Sequence, residues 1–123
     1  MAVKLVSSTK IYLDARQLLD TILDIVPNFP RAYKFTIGSK MEDLAVDIIH
    51  EIAAAYINKD KAETAKHLTE FQAKFETLKL LIRIAGEREW IKGRGKFANL
   101  IELMDGIGKQ SSAWKNTILS KMV

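Results

Sequence analysis

The chain has 123 residues, 48% of them apolar and 28% charged, which is the mix of one globular domain over residues 1–123 and excludes a disordered segment. It has no cysteine, so disulfides and thiolate metal sites are excluded, and its formal net charge is +4. The longest stretch without a charged residue, Ile52 to Asn58, is too short to span a bilayer, and Met1–Val6 has neither a long apolar core nor a cleavage site, so a soluble cytoplasmic protein is expected.

The only prolines, Pro27 and Pro30, interrupt a pattern that is otherwise helical almost throughout. A first helix is expected from about Ser8 to Val26. Ile11, Ala15, Leu18, Ile22 and Ile25 form its stripe, and Tyr12, Leu19, Leu23 and Val26 widen it. Ser7 or Ser8 is placed to cap its start, and Pro27 to stop it. A second helix is expected after Thr36 as N-cap, with Phe35 as a staple. Its apolar face is Ile37, Met41, Leu44, Ala45, Ile48, Ile49, Ile52 and Tyr56.

The turn Asn58-Lys59-Asp60 leads to a third helix, where Asp60 and Glu63 have the spacing of a capping box. Leu68, Phe71, Phe75, Leu78, Ile82 and Ala85 step by three and four, which is a bundle seam. A fourth helix is expected to begin within Gly93–Lys96 and to carry Phe97, Leu100, Met104, Ile107, Ser111, Trp114 and Ile118 on the same stepping. Gly106 and Gly108 suggest a close approach of another backbone. Four amphipathic helices with short connections predict an all-α, antiparallel, up-down-up-down four-helix bundle. Leu80 and Ile84 fall opposite the third seam, and the first two helices have wide apolar arcs. Such surplus apolar surface predicts assembly into a homo-oligomer.

Catalytic signatures fail on inspection. His50-Glu51-Ile52-Ala53-Ala54 begins like a zinc-protease motif, but Ala54 replaces the second histidine. Asp47 and His50 make half of a di-iron helix motif with no second half. His50 reads as a partly buried polar residue, and His67 as part of a solvated face. Gly93-Arg94-Gly95-Lys96-Phe97-Ala98 fits a loose dinucleotide fingerprint with no strand before it. Gly108-Lys109-Gln110 lacks the hydroxyl and the upstream glycine of a phosphate loop. A protein that is not an enzyme, without cofactor or metal, is expected.

Cations are the more informative residues. Residues 91–123 hold six basic and two acidic side chains, which equals the whole surplus of the chain. Lys79 and Arg83 lie one turn apart and repel by roughly a few tenths of a kcal/mol, a cost that a phosphate chain would relieve. Arg88, Lys92, Arg94 and Lys96 follow in the connection to the fourth helix. The competing expectation is local pairing, Glu76 with Lys79 and Glu87 with Arg83. Trp90 in this connection suits either base stacking or anchoring of the loop in the core. In Phe29-Pro30-Arg31-Ala32-Tyr33-Lys34-Phe35-Thr36-Ile37-Gly38 aromatics and cations alternate. Phe29 and Phe35 are expected to clamp this segment to the bundle end, which would hold Arg31 and Lys34 in place.

Phe29-Pro30-Arg31 followed by Lys34-Phe35-Thr36-Ile37-Gly38 resembles the signature of a family of small bacterial and phage four-helix bundles. Leu81-Ile82-Arg83, Ile107-Gly108 and Trp114-Lys115 are similar to later family positions, so the resemblance spans about residues 8–118. The family includes the accessory variability determinants of diversity-generating retroelements and the proteins encoded in intervening sequences of 23S ribosomal RNA genes. Between Gly86 and Gly95 the chain departs from the pattern, with Glu87, Glu89 and a double glycine.

The resemblance implies a homopentameric barrel with a positive surface. It implies binding of nucleic acid, RNA or DNA, and of the element's reverse transcriptase, in support of mutagenic cDNA synthesis from a template RNA. It assigns Lys79 and Arg83 to nucleic acid, and Arg31 and Lys34 to the signature loop. The alternative it leaves open is a structural bundle of the ribosomal intervening-sequence type, which binds protein partners or rRNA. The basic C-terminal quarter and the Trp114 region favour the retroelement branch.

Overall fold

A computed structural model describes residues 5–122. Met1–Lys4, part of the segment considered above for a secretory signal, and Val123 lie outside the described residues. Helix α1 spans Lys10–Ile25. Three stretches, Arg31–Tyr33, the π-helical turn Lys34–Gly38 and Ser39–Ile57, then follow one another without a break and form helix α2. Helix α3 spans Lys61–Glu87 and helix α4 spans Lys96–Lys121. The described residues contain no strand.

Each helix packs on its neighbour in sequence, and α4 returns to pack on α1. That closed order is the up-down-up-down bundle. The connections of residues 26–30 and 88–95 therefore share one end, and the turn of residues 58–60 lies at the other.

The seams of α1 and α3 are the ones the spacing predicts, while in α2 Ile37, Ile49 and Tyr56 and in α4 Phe97, Trp114 and Ile118 are only half-buried. Ile11, Ala15, Leu18, Ile22 and Ile25 are buried, as are Leu68, Phe71, Phe75, Leu78, Ile82 and Ala85. In α4 the buried positions are Leu100, Met104, Ile107 and Ser111. Fully burying one such aliphatic or aromatic side chain contributes roughly 1.5–3 kcal/mol. Among the surplus apolar residues Leu80, Ile84 and Leu23 are exposed, and so is Val46 of α2, which the apolar spacing does not single out.

Several local expectations change. The cap of α1 is Thr9, not Ser7 or Ser8: Ser7 and Ser8 lie in a 3-10 turn, and Thr9 Oγ1 accepts the Tyr12 amide at 3.4 Å. Thr36 does not cap α2. The helix starts six residues earlier, because Pro30 supplies an extended N-cap and its carbonyl accepts the amides of Tyr33 and Lys34. Phe35 is 74% exposed, so it neither staples nor clamps anything; Phe29 alone is buried. His50 is exposed. Gly106 and Gly108 admit no other backbone: a Cβ on Gly106 would meet nothing within 4 Å, and on Gly108 only the Phe75 ring at 3.6 Å. Close approach occurs at Gly86 instead, where a Cβ would fall 2.3 Å from the Phe97 ring, and at Gly38, where it would fall 2.6 Å from Val26.

A buried carboxylate, Glu51, is unforeseen. It lies 6% exposed on α2, with His67 Nδ1 at 3.0 Å and Lys74 Nζ at 3.5 Å, both from α3. Two partners offset its desolvation. The partners are sixteen and more residues away, so no local spacing announces them.

Candidate nucleic-acid interface

The topology gathers most of the candidate cations at one end. Arg31 and Lys34 begin α2, Arg88 follows the last turn of α3, Lys92 and Arg94 lie in the following connection, and Lys96 begins α4. Lys79 and Arg83 lie further down α3, about 12 Å and 6 Å below its last residue at the α-helical rise. Arg31, Arg83, Arg88, Lys92 and Arg94 are exposed, while Lys34, Lys79 and Lys96 are half-buried.

An aromatic stack builds this end. Trp90 is 7% exposed, and its amide bonds the Ala85 carbonyl at the close of α3. The Tyr33 ring stacks on the Trp90 ring at 4.7 Å between centroids and 21° between planes. Phe29 packs against the same indole at 5.3 Å. Trp90 is thus the loop anchor, and its burial leaves it no face for a nucleobase. Glu89 adopts a positive φ of 63° to deliver it, a backbone state that an L-residue other than Asn or Asp rarely adopts.

Arg88 lies on this stack. Its guanidinium carbon is 5.0 Å from the Trp90 centroid and 5.2 Å from the Tyr33 centroid. Exposed contacts of this kind contribute about 0.5–1 kcal/mol. Its Nη2 is 3.5 Å from the Tyr33 hydroxyl, too long to count as a strong hydrogen bond. The two rings hold the guanidinium by cation–π attraction, and no carboxylate pairs with it. The stack also ties the Phe29–Tyr33 segment to the connection after α3, two regions that are 55 residues apart at the Arg88–Tyr33 contact.

The remaining cations fall on separate faces. Arg94 and Lys96 line a cleft of about 200 Å³ with Gln17 and Thr21 of α1 and Asn99, Leu100 and Leu103 of α4. Lys92 Nζ donates to the Glu89 carbonyl at 3.2 Å. Lys79 and Arg83 line a smaller cleft of about 90 Å³ between α3 and α4, with Leu80, Ile101, Met104 and Asp105. Lys79 is paired locally, as the competing expectation held: Glu76 Oε2 is 2.9 Å from its Nζ. The pair between Glu87 and Arg83 does not form. Among the described residues, Arg31, Lys34, Arg83, Arg88, Lys92, Arg94 and Lys96 have no carboxylate partner. Tyr33 belongs to this site although it is not a cation. Its signal was present, an aromatic between two cations in the stiff proline segment, but its partner Trp90 is far along the chain.

Among the described residues no group of three or more His, Asp or Glu is placed to hold a metal ion. No helix among them is long and apolar enough to cross a membrane.

No curated protein matches the chain. A family model described as bAvd-like matches residues 5–118, close to the span of the resemblance noted from the proline segment. That match covers nearly all of the chain and includes every cation described above. It carries the accessory variability determinant reading and points to a diversity-generating retroelement accessory protein. The chain belongs to the bAvd-like family.

Proposed function

We propose that this protein is a non-enzymatic adaptor that offers one positively charged bundle end to a nucleic acid and brings a retroelement reverse transcriptase to the same strand. One observation carries this reading: six cations without a carboxylate partner, Arg31, Lys34, Arg88, Lys92, Arg94 and Lys96, lie at the same end of the bundle. Such charges repel one another, and a phosphate chain relieves the repulsion while releasing its counterions. The exposed Leu23, Val46, Leu80 and Ile84 support assembly into an oligomer, with five copies as the number the family resemblance implies. The reverse transcriptase as partner rests on family membership alone.

The test is a binding titration against RNA and DNA at several salt concentrations. The logarithm of the affinity is expected to fall linearly with the logarithm of salt. Joint reversal of Arg88, Lys92 and Arg94 to glutamate is expected to flatten that slope and to weaken all sequences alike, since phosphate contacts carry no base information. Binding indifferent to salt, or untouched by the reversal, would sink the electrostatic core of the proposal. Capture of the reverse transcriptase that survives loss of all nucleic-acid binding would favour the structural-bundle reading. Light scattering tests the pentamer.

A further inference from the structure

Phe35 is an aromatic side chain for which the fold has no internal use. The signature segment predicts a clamp, yet the ring is 74% exposed. Its position is fixed locally. Gly38 lodges against Val26, where even a Cβ would collide at 2.6 Å, and this sets which side of the segment faces inward. Lys34–Gly38 is a π-helical turn. Its i→i+5 bonding gives fewer degrees per residue than an α-helix, so Phe35 swings further from the inward face of Gly38 than an α-turn would leave it. The turn therefore presents the ring to solvent.

Two cations neighbour the presented ring. Arg31 lies one turn earlier on the same helix face. Lys34 and Phe35 line one shallow cleft of about 190 Å³ with Val26, Pro27, Ser39 and Glu42. Glu42 is the one carboxylate there. Arg31 and Lys34 have no carboxylate partner. An exposed aromatic ring with two cations in its neighbourhood fits a base and the phosphates of the same strand. A second copy seated here would have to bring carboxylates to Arg31 and Lys34, and the oligomeric mass of the Phe35 variant separates that occupant from a nucleic acid. A duplex keeps its bases stacked inside, so the ligand must have an unpaired base.

We infer that Phe35 is a stacking platform for an unpaired base of single-stranded nucleic acid, with Arg31 and Lys34 on the flanking phosphates. The inference rests on the nucleic-acid reading above and narrows it from polyanions in general to single strands. It also assigns different work to neighbouring side chains: the ring supplies contact with the base, the cations supply the salt dependence.

The experiment uses the whole protein with a labelled mixed-sequence oligoribonucleotide, free and annealed to its complement. Phe35→Ala is expected to weaken single-strand binding about fivefold to a hundredfold and to leave duplex binding and the salt slope unchanged. Phe35→Trp should restore single-strand binding. Lys34→Ala should instead lower the slope by about one, for both forms. The ring is exposed, so circular dichroism and light scattering should match the wild type. If the wild type binds neither form at low salt, the nucleic-acid reading fails and takes this inference with it. If the wild type binds and Phe35→Ala is indistinguishable from it, weakens both forms equally, or changes the oligomeric mass, the stacking platform alone is overturned.

Discussion

The two ends of this bundle are built on opposite rules. At the single-turn end, the groups satisfy one another. Asp60 caps α3 through the Ala62 amide at 3.0 Å, and Asn58 Oδ1 accepts the Asp60 amide at 3.0 Å. The buried Thr64 hydroxyl lies 3.2–3.3 Å from the carbonyls of Ala55, Asn58 and Asp60. Lys59 and Lys61 are balanced by Asp60 and Glu63 in sequence. At the two-connection end, by contrast, Phe29, Tyr33 and Trp90 hold the chain by ring contacts. Aromatic packing there leaves the neighbouring cations without carboxylate partners. The difference shows how a small bundle keeps one end closed and the other available: the closed end uses hydrogen bonds for stability, and the available end uses rings.

The largest expected difference between the ends follows from Trp90. Trp90→Ala removes the surface on which Phe29, Tyr33 and Arg88 all rest, and should cost about 3–5 kcal/mol in a urea unfolding curve. It should also weaken nucleic-acid binding, since Arg88 and the Arg31–Lys34 segment lose their support. A cost below about 1 kcal/mol would mean that the stack is not what holds this end.

At the opposite end, Thr64→Ala should cost about 1 kcal/mol, the net worth of one hydrogen bond, in the same unfolding measurement. Binding to RNA or DNA should stay as in the wild type. A variant that bound more weakly without unfolding would erase the contrast between the ends.

The smallest effect concerns pH. Burial opposes ionisation of Asp14, but hydrogen bonds from Lys10 and Gln110 outweigh it and hold the carboxyl below its ordinary value of 3.8. Gln110 Nε2 donates to Asp14 at 2.7 Å and so links α4 to α1. A depressed carboxyl pKa contributes stability above the ordinary value and loses it as pH falls through the folded value. Asp14→Asn should therefore be slightly less stable than the wild type at pH 7, with the gap closing below pH 3.8. A gap that persisted unchanged into acid would assign the effect to packing instead of charge.

Legibility in the sequence followed the range of each interaction. Apolar stepping by three and four is a property of one helix, so the seams Ile11–Ile25, Leu68–Ala85 and Leu100–Ser111 were readable position by position. Proline and glycine chemistry is local too, and Pro27 did end α1. The start of α2 is not legible locally, because Thr36 has a capping side chain while Pro30 works through its backbone carbonyl. Of the candidate cations, the pairing of Lys79 with Glu76 was visible as a three-residue spacing.

The chain by itself determined four amphipathic helices, a positive surplus and the family signature, because each depends on residues a few positions apart. Only the tertiary structure decided that Trp90 is an anchor, that Arg88 lies on a stack with Tyr33, that Glu51 is buried between His67 and Lys74, and that Phe35 is presented instead of packed. Each of these depends on which helices become neighbours or on how a turn is wound. Closing the bundle brings distant side chains within a few ångströms, and no spacing along one helix encodes that distance.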